Sequence, residues 1–113
     1  MVLSSVKNPY VSAKAWCIMA DNQILASKLD RTRREIASLT KIMTTYTAIK
    51  LCQLFNLDLY ETMVTVPDEC VKIIGTSALL CPGEVLSIND LLYGIMLPSG
   101  NDAAFTIANY LGE

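Results

Sequence analysis

The chain has no histidine among its 113 residues, and this absence excludes much familiar chemistry. Without an imidazole there can be no Ser-His-Asp triad and no histidine ligand for a metal ion. A serine nucleophile would still need a neighbouring base. A lysine amine is therefore the leading candidate for that base.

An excess of charge of either sign is also lacking. Nine Lys and Arg residues against eleven Asp and Glu residues give a formal net charge of -2, with a pI near 5.0. Nothing in this balance points to nucleic acid or to an anionic membrane surface as a partner. The largest positive cluster, Arg31, Arg33 and Arg34, lies between predicted elements and is typical of a solvated connector.

Long apolar runs are absent as well. The longest, at 15–20 and around 91–97, are far below the roughly 18 residues of a membrane-spanning helix. Residues 1–9 lack the apolar centre of a secretory signal, which predicts an intracellular protein. Apolar residues nevertheless make up 52% of the chain, slightly above the usual value of about 45–50%. In so short a chain, this excess predicts apolar surface that a missing part of the fold or a protein partner covers.

The four cysteines are widely separated and form no Cys-x-x-Cys pair. They are Cys17, Cys52, Cys70 and Cys81. With no histidine to complete a zinc site, we expect them to be reduced residues of the core. The sequence thus predicts neither a metal centre nor a cofactor.

Apolar patterning predicts a β-hairpin followed by a mainly helical region. The segments 15–20 and 23–28 read as antiparallel strands joined by a tight turn at Asp21 and Asn22. A lone hairpin is marginal in water, so we expect it to belong to a larger sheet. From Ser38 to about Leu54 the spacing predicts a helix with one strongly buried face, made of Ile42, Met43, Tyr46, Ile49 and Phe55.

The second half reads as short elements separated by turn signals. They are an extended segment at 62–66, a turn or short helix from Pro67, a turn at 81–84, a helix from the N-cap Ser87 to about Leu97, and a final helix from Asn101 to Leu111 stopped by Gly112. No linker or repeat divides the chain. We therefore expect one domain over residues 1–113.

Two short motifs could carry chemistry. Residues three apart share a helix face, so the side chains of Ser38 and Lys41 can touch. This Ser-x-x-Lys pattern is common, and a second copy at Ser4 and Lys7 runs into a proline and cannot open a helix. Ser38 could equally be a helix cap and Lys41 a solvated lysine. The second motif, Ser99-Gly100-Asn101, could be a simple turn between helices.

Longer stretches around these motifs favour a functional interpretation. The segments 37–44, 75–84 and 91–104 occur in the order and at the separation found in the penicillin-binding D-alanyl-D-alanine carboxypeptidases, which the chain resembles from about Ala15 to its end. This resemblance implies an α+β fold. The chain would be the N-terminal, incomplete part of the penicillin-binding, β-lactamase-like transpeptidase fold.

The resemblance also implies a role for each motif residue. Ser38 would attack the carbonyl between two D-alanines, and Lys41 would be its base. Ser99 would relay a proton to the departing amine, while Asn101 would bind the substrate's amide and hold Lys41 in place. The implied partners are a peptide ending in D-Ala-D-Ala or a β-lactam, whose strained amide offers the same carbonyl.

The chain departs from this family at the third motif. Lys-Thr-Gly, or a close variant, occurs nowhere in it; in the family that strand helps bind the substrate carboxylate and supplies an oxyanion-hole amide. Family members are also typically exported to the cell envelope. Two hypotheses follow: a serine-type carboxypeptidase that is inactive as an isolated chain, or a catalytically silent structural or interaction subunit of a larger assembly.

Overall fold

A computed structural model describes residues 8–112, which form two compact units, one ending at Glu35 and one starting at Ile36. The Ser4 and Lys7 motif copy, and most of the segment assessed as a signal sequence, lie outside the described residues. Among the helices within residues 8–112, none combines the length and the apolar character needed to cross a membrane.

The first unit contains a β-hairpin. Strand β1 (Trp16–Ala20) pairs antiparallel with β2 (Gln23–Lys28). The two turn residues, Asp21 and Asn22, both have positive φ, at 47° and 60°, as a tight hairpin turn requires. The predicted hairpin and its turn are confirmed. Within the described residues this sheet holds only these two strands.

The second unit contains three α-helices and a small sheet. Its elements are a 3₁₀ turn (Ala37–Leu39), α1 (Thr40–Leu54), β3 (Met63–Thr65), a second 3₁₀ turn (Asp68–Lys72), β4 (Val85–Ser87), α2 (Ile88–Met96) and α3 (Asn101–Gly112). Strands β3 and β4 pair antiparallel. The extended segment and the short helix after Pro67 match the prediction. Strand β4 was not predicted, because three residues are too few to show the alternation of apolar and polar side chains that marks a strand.

Helix α2 begins where the sequence predicts. The Ser87 hydroxyl accepts a hydrogen bond from the Asp90 backbone N–H at 3.0 Å, and the Asp90 carboxylate accepts in return from the Ser87 N–H at 3.3 Å. This reciprocal pairing satisfies donors that a helix start leaves free. Helix α3 continues through Gly112, one residue beyond the predicted end.

The core of this unit is built around α2. Ile88, Leu91 and Ile95 are completely buried. They pack with Ala103 and Ile107 of α3 and with residues of α1 and β3 in one cluster. Asn101, the motif residue at the start of α3, is therefore held in place by the packing of α2 against α3.

The predicted buried face of α1 is wrong at four of its five residues, whereas the fifth, Ile49, is half-buried and packs against the core. Ile42, Met43, Tyr46 and Phe55 are between 55% and 64% exposed, and the buried residues of this helix are Ala48 and Cys52. Apolar residues occupy all sides of α1, but α2 and α3 cover only one of them. A helix that is apolar all round is typical of one that is enclosed on every side.

The cysteine prediction is confirmed at two of four positions. Cys52 and Cys70 are buried, whereas Cys17 and Cys81 are exposed, and all four thiols are free. Cys17 lies on a hairpin face that its own unit does not cover, and Cys81 lies in the turn before β4.

Candidate active site

Ser38 lies in the 3₁₀ turn immediately before α1. The sequence predicted that the helix starts at Ser38, but the α-helix begins only at Thr40. The preceding residue, Ala37, has a φ of 46°, which turns the chain sharply into the helix. Neither the 3₁₀ turn nor α1 has a side-chain cap, so Ser38 does not fill the capping role.

The hydroxyl of Ser38 meets that of Ser99. Ser99 Oγ donates to Ser38 Oγ at 2.7 Å across 61 positions of sequence. Ser99 joins α2 to α3 with a φ of 59°, which a residue with a side chain rarely adopts. Two contacts hold it there: its carbonyl accepts from the Thr76 hydroxyl, and the N–H of Gly100 donates to the Gly94 carbonyl at 3.0 Å.

Lys41 and Asn101 form a second linked pair. Lys41 Nζ donates to Asn101 Oδ1 at 2.6 Å, and both side chains are half-buried. Sequence spacing predicted that Lys41 could touch Ser38. The hydrogen bond that it makes in the structure goes to the first residue of α3 instead.

The structure therefore brings the four predicted site residues together. Ser38, Lys41 and Asn101 line a cleft of about 580 Å³, and Ser99 lines an adjoining one with Ser38 and Lys41. Two hydroxyls, an amine and an amide meet there in an open setting. Such a set can bind a carbonyl group, attack it and move a proton nearby.

Residues 74–80, which we call the clasp segment, fix the backbone and amide of Asn101. The Asn101 N–H donates to the Thr76 carbonyl at 2.7 Å, and Asn101 Nδ2 donates to the Ile74 carbonyl at 2.8 Å. Gly75 lies between them with a φ of 102°, and a Cβ there would collide with Asn101 Nδ2. Residues 75–80 of this segment belong to the family resemblance, which implied no role for them.

Asp102 is a further residue to which the sequence motifs gave no role. Its carboxylate is almost fully buried and accepts from the backbone N–H groups of Ala78, Leu80 and Ala103 and from the Ser77 hydroxyl, at 2.7 to 3.2 Å. Burial raises the pKa of Asp102, but these hydrogen bonds together hold that pKa below its ordinary value. Its position directly after the second motif was the available signal.

Sequence comparison decides the family. A family model described as D-alanyl-D-alanine carboxypeptidase matches residues 3–112. The chain belongs to this carboxypeptidase family. The D-alanyl-D-alanine carboxypeptidase DacC of Escherichia coli K12 is 35% identical over 115 residues, which cover 95% of this chain and 28% of DacC.

Solved structures of carboxypeptidase relatives confirm the predicted α+β fold. DacD from Francisella tularensis superposes with a TM-score of 0.82 at 31% identity, covering 99% of this chain and 27% of DacD. Penicillin binding protein 6B from Escherichia coli gives 0.80 at 28% identity, covering 98% of this chain and 37% of that protein. The chain thus spans less than two fifths of these relatives and corresponds to an incomplete part of their fold.

Proposed function

We propose that this chain carries the acylation site of a serine-type D-Ala-D-Ala carboxypeptidase, with Ser38 as the nucleophile and Lys41 as its base. The observation that supports the proposal is the meeting of two hydrogen-bonded pairs, Ser38–Ser99 at 2.7 Å and Lys41–Asn101 at 2.6 Å, in two adjoining clefts. In a member of this family, that meeting favours a chemical role over chance.

The acylation step uses three of these groups. Ser38 Oγ attacks the carbonyl carbon of the penultimate D-alanine and gives up its proton to the Lys41 amine. As the carbon–nitrogen bond breaks, Ser99 gives its hydroxyl proton to the departing nitrogen and takes the proton held by Lys41, so both groups return to their starting states. D-Alanine leaves, and water then hydrolyses the Ser38 ester and restores the hydroxyl.

Asn101 serves both the lysine and the substrate. Its Oδ1 holds Lys41, and one N–H of its Nδ2 is taken by the Ile74 carbonyl. A side-chain amide has a second N–H. That second donor is available to a substrate carbonyl, as the family resemblance implies.

The acylation site works fully only with further structure. The chain covers 28% of DacC, and the third motif expected from the resemblance is absent from its sequence. Loss of a single oxyanion-hole donor typically slows catalysis about a hundredfold to a thousandfold. We therefore expect the isolated chain to react slowly with a β-lactam and faster once the rest of the fold is supplied.

One observation favours the alternative of a catalytically silent interaction subunit. The uncovered face of α1 exposes Ile42, Met43 and Tyr46, and the 3₁₀ turn before it exposes Leu39, each by more than half. Apolar surface of this kind is typical of a protein–protein interface. The same surface is expected of a carboxypeptidase that lacks the rest of its fold, so a chemical test must separate the two.

Covalent labelling with a fluorescent penicillin is that test. We would incubate the chain alone, and with a fragment of Francisella DacD that supplies the remaining part of the fold, and measure the labelled band over time. The proposal expects labelling that Ser38→Ala and Lys41→Met abolish. Ser27→Ala in β2 and Lys50→Met on α1 are matched controls that should label normally. No labelling of the folded chain in either setting would favour the silent subunit.

A further inference from the structure

The clasp segment has no regular secondary structure, yet it is bonded at both ends to the first turn of α3. Its early residues, Ile74 and Thr76, accept from the side chain and the backbone of Asn101. Its later residues Ser77, Ala78 and Leu80 donate to the carboxylate of Asp102. Two adjacent residues of α3, Asn101 and Asp102, thus form hydrogen bonds with the two ends of the clasp segment.

The carboxylate of Asp102 does more than cap its own helix. Only one of its four donors, the Ala103 N–H, belongs to α3, and the other three lie 22 to 25 positions earlier in the sequence. Oδ1 accepts from Ala78 and Ala103, and Oδ2 accepts from Ser77 and Leu80. Asp102 is only 4% exposed, and it keeps its charge because each carboxylate oxygen accepts two hydrogen bonds.

The early residues of the clasp segment determine which way the Asn101 amide points. Because Nδ2 donates to the Ile74 carbonyl, Oδ1 is directed to Lys41 Nζ. A reversed amide would place the Nδ2 donor against the N–H of Lys41 Nζ that now donates to Oδ1, and would place Oδ1 against a carbonyl oxygen. The position of Ile74 therefore sets the orientation of Asn101.

We infer that Asp102 is a positioning residue of the candidate active site, which holds the clasp segment so that Ile74 orients the Asn101 amide toward Lys41. The inference rests on the proposed function in one respect, namely that the oriented Asn101 amide holds a catalytic lysine and binds substrate. The chain of contacts itself, Asp102 to the clasp segment to Asn101 to Lys41, does not depend on activity.

Asp102→Asn tests this inference without a change of size. Each carboxylate oxygen accepts two hydrogen bonds, so either orientation of the new amide turns its NH₂ group toward two donors. We expect the backbone amides of Ala78, Leu80 and Asn101 to exchange with solvent at least about tenfold faster. We also expect the Asn101 side-chain amide resonances to move toward free-amide positions. The rate of penicillin labelling should fall by about a hundredfold.

Asp90→Asn is the matched control. It breaks the capping box of α2, a similar carboxylate contact that has no link to Asn101. This variant should lose stability but keep both the Asn101 side-chain resonances and the labelling rate of the wild type. If Asp102→Asn fails to fold, Ser77→Ala removes one donor to the carboxylate and should shift the same resonances by a smaller amount.

Each outcome decides the inference. Faster exchange at Ala78 and Leu80 with unmoved Asn101 side-chain resonances would make Asp102 a structural anchor only, and would overturn the inference. Equal effects of Asp102→Asn and Asp90→Asn on the Asn101 resonances would overturn it too. Moved resonances in a protein whose wild type never labels would uphold the positioning and refute the proposed function.

Discussion

At the scale of single residues, backbone strain marks both candidate catalytic serines. Ser99 itself has a φ of 59°, and Ala37, the residue before Ser38, has a φ of 46°. Such conformations cost about 1–3 kcal/mol each and persist only where surrounding contacts enforce them. Because neither alanine nor serine indicates a positive φ, the sequence identifies the two serines but does not predict the backbone conformation that positions them.

Gly75→Ala should disturb the site through a collision as well as through φ. Its new Cβ would meet Asn101 Nδ2, whereas Gly83, with a φ of 79°, has open space at the same position. We expect Gly75→Ala to lower the free energy of unfolding by about 2 kcal/mol or more, and Gly83→Ala by about 1 kcal/mol. Urea unfolding measures both values. If both substitutions lower the free energy of unfolding equally, the site accommodates the new Cβ at position 75 and the predicted collision does not destabilise the protein.

The pH dependence of stability should report on Asp102. Because its pKa is lower in the folded protein than in the unfolded chain, its contribution is complete above the ordinary aspartate value of about 4 and is lost as the pH falls through the folded value. The nearby thiol of Cys70 has a raised pKa and stays protonated throughout that range. Urea unfolding from about pH 7 down to about pH 2.5 should show that the loss of stability in Asp102→Asn becomes smaller as the pH falls below about 4. A loss that stays constant over this range would contradict the lowered pKa of Asp102.

At the scale of elements, local signals predicted the start of α2 but not the start of α1. Ser87 and Asp90 carry a capping pattern that depends on neighbours in sequence, and the structure forms it. Helix α1 has no side-chain cap and is entered through a 3₁₀ turn. Its start is therefore fixed by contacts such as the Ser38–Ser99 hydrogen bond, which join distant parts of the chain.

Ser87→Ala should destabilise α2 without changing the candidate site. Its hydroxyl accepts from the Asp90 N–H at 3.0 Å, and loss of such a cap costs about 0.5–2 kcal/mol. Urea unfolding should show this loss, while the rate of penicillin labelling stays at the wild-type value. A large fall in labelling with intact folding would mean that the capping box of α2 supports the site directly.

At the scale of the whole molecule, burial could not be derived from the pattern of one helix. The spacing of Ile42, Met43 and Tyr46 predicts a buried face, yet these residues are exposed. The buried residues of α1 are instead Ala48 and Cys52, which pack with α2 and α3. Which side of an all-apolar helix is covered depends on what packs against it. The family resemblance, in contrast, predicted from sequence which four side chains meet.

Two matched isoleucine substitutions test this distribution of burial. Ile95 of α2 is completely buried, and Ile42 of α1 is 55% exposed. Ile95→Ala should cost about 2–5 kcal/mol, whereas Ile42→Ala should stay within about 0.5 kcal/mol. Urea unfolding of the chain by itself compares them. A large loss for Ile42→Ala would show that the α1 face is already covered, for example by a second copy.

The most direct test of the central claim is to locate the covalent adduct after reaction with a β-lactam. The chain, complemented with the remaining part of the carboxypeptidase fold, would be digested and its peptides weighed by mass spectrometry. We predict a mass increase of one β-lactam on the peptide that contains Ser38, and none when Lys41 is replaced by methionine. An adduct on any other residue, or an unmodified Ser38 in the complemented protein, would contradict the account.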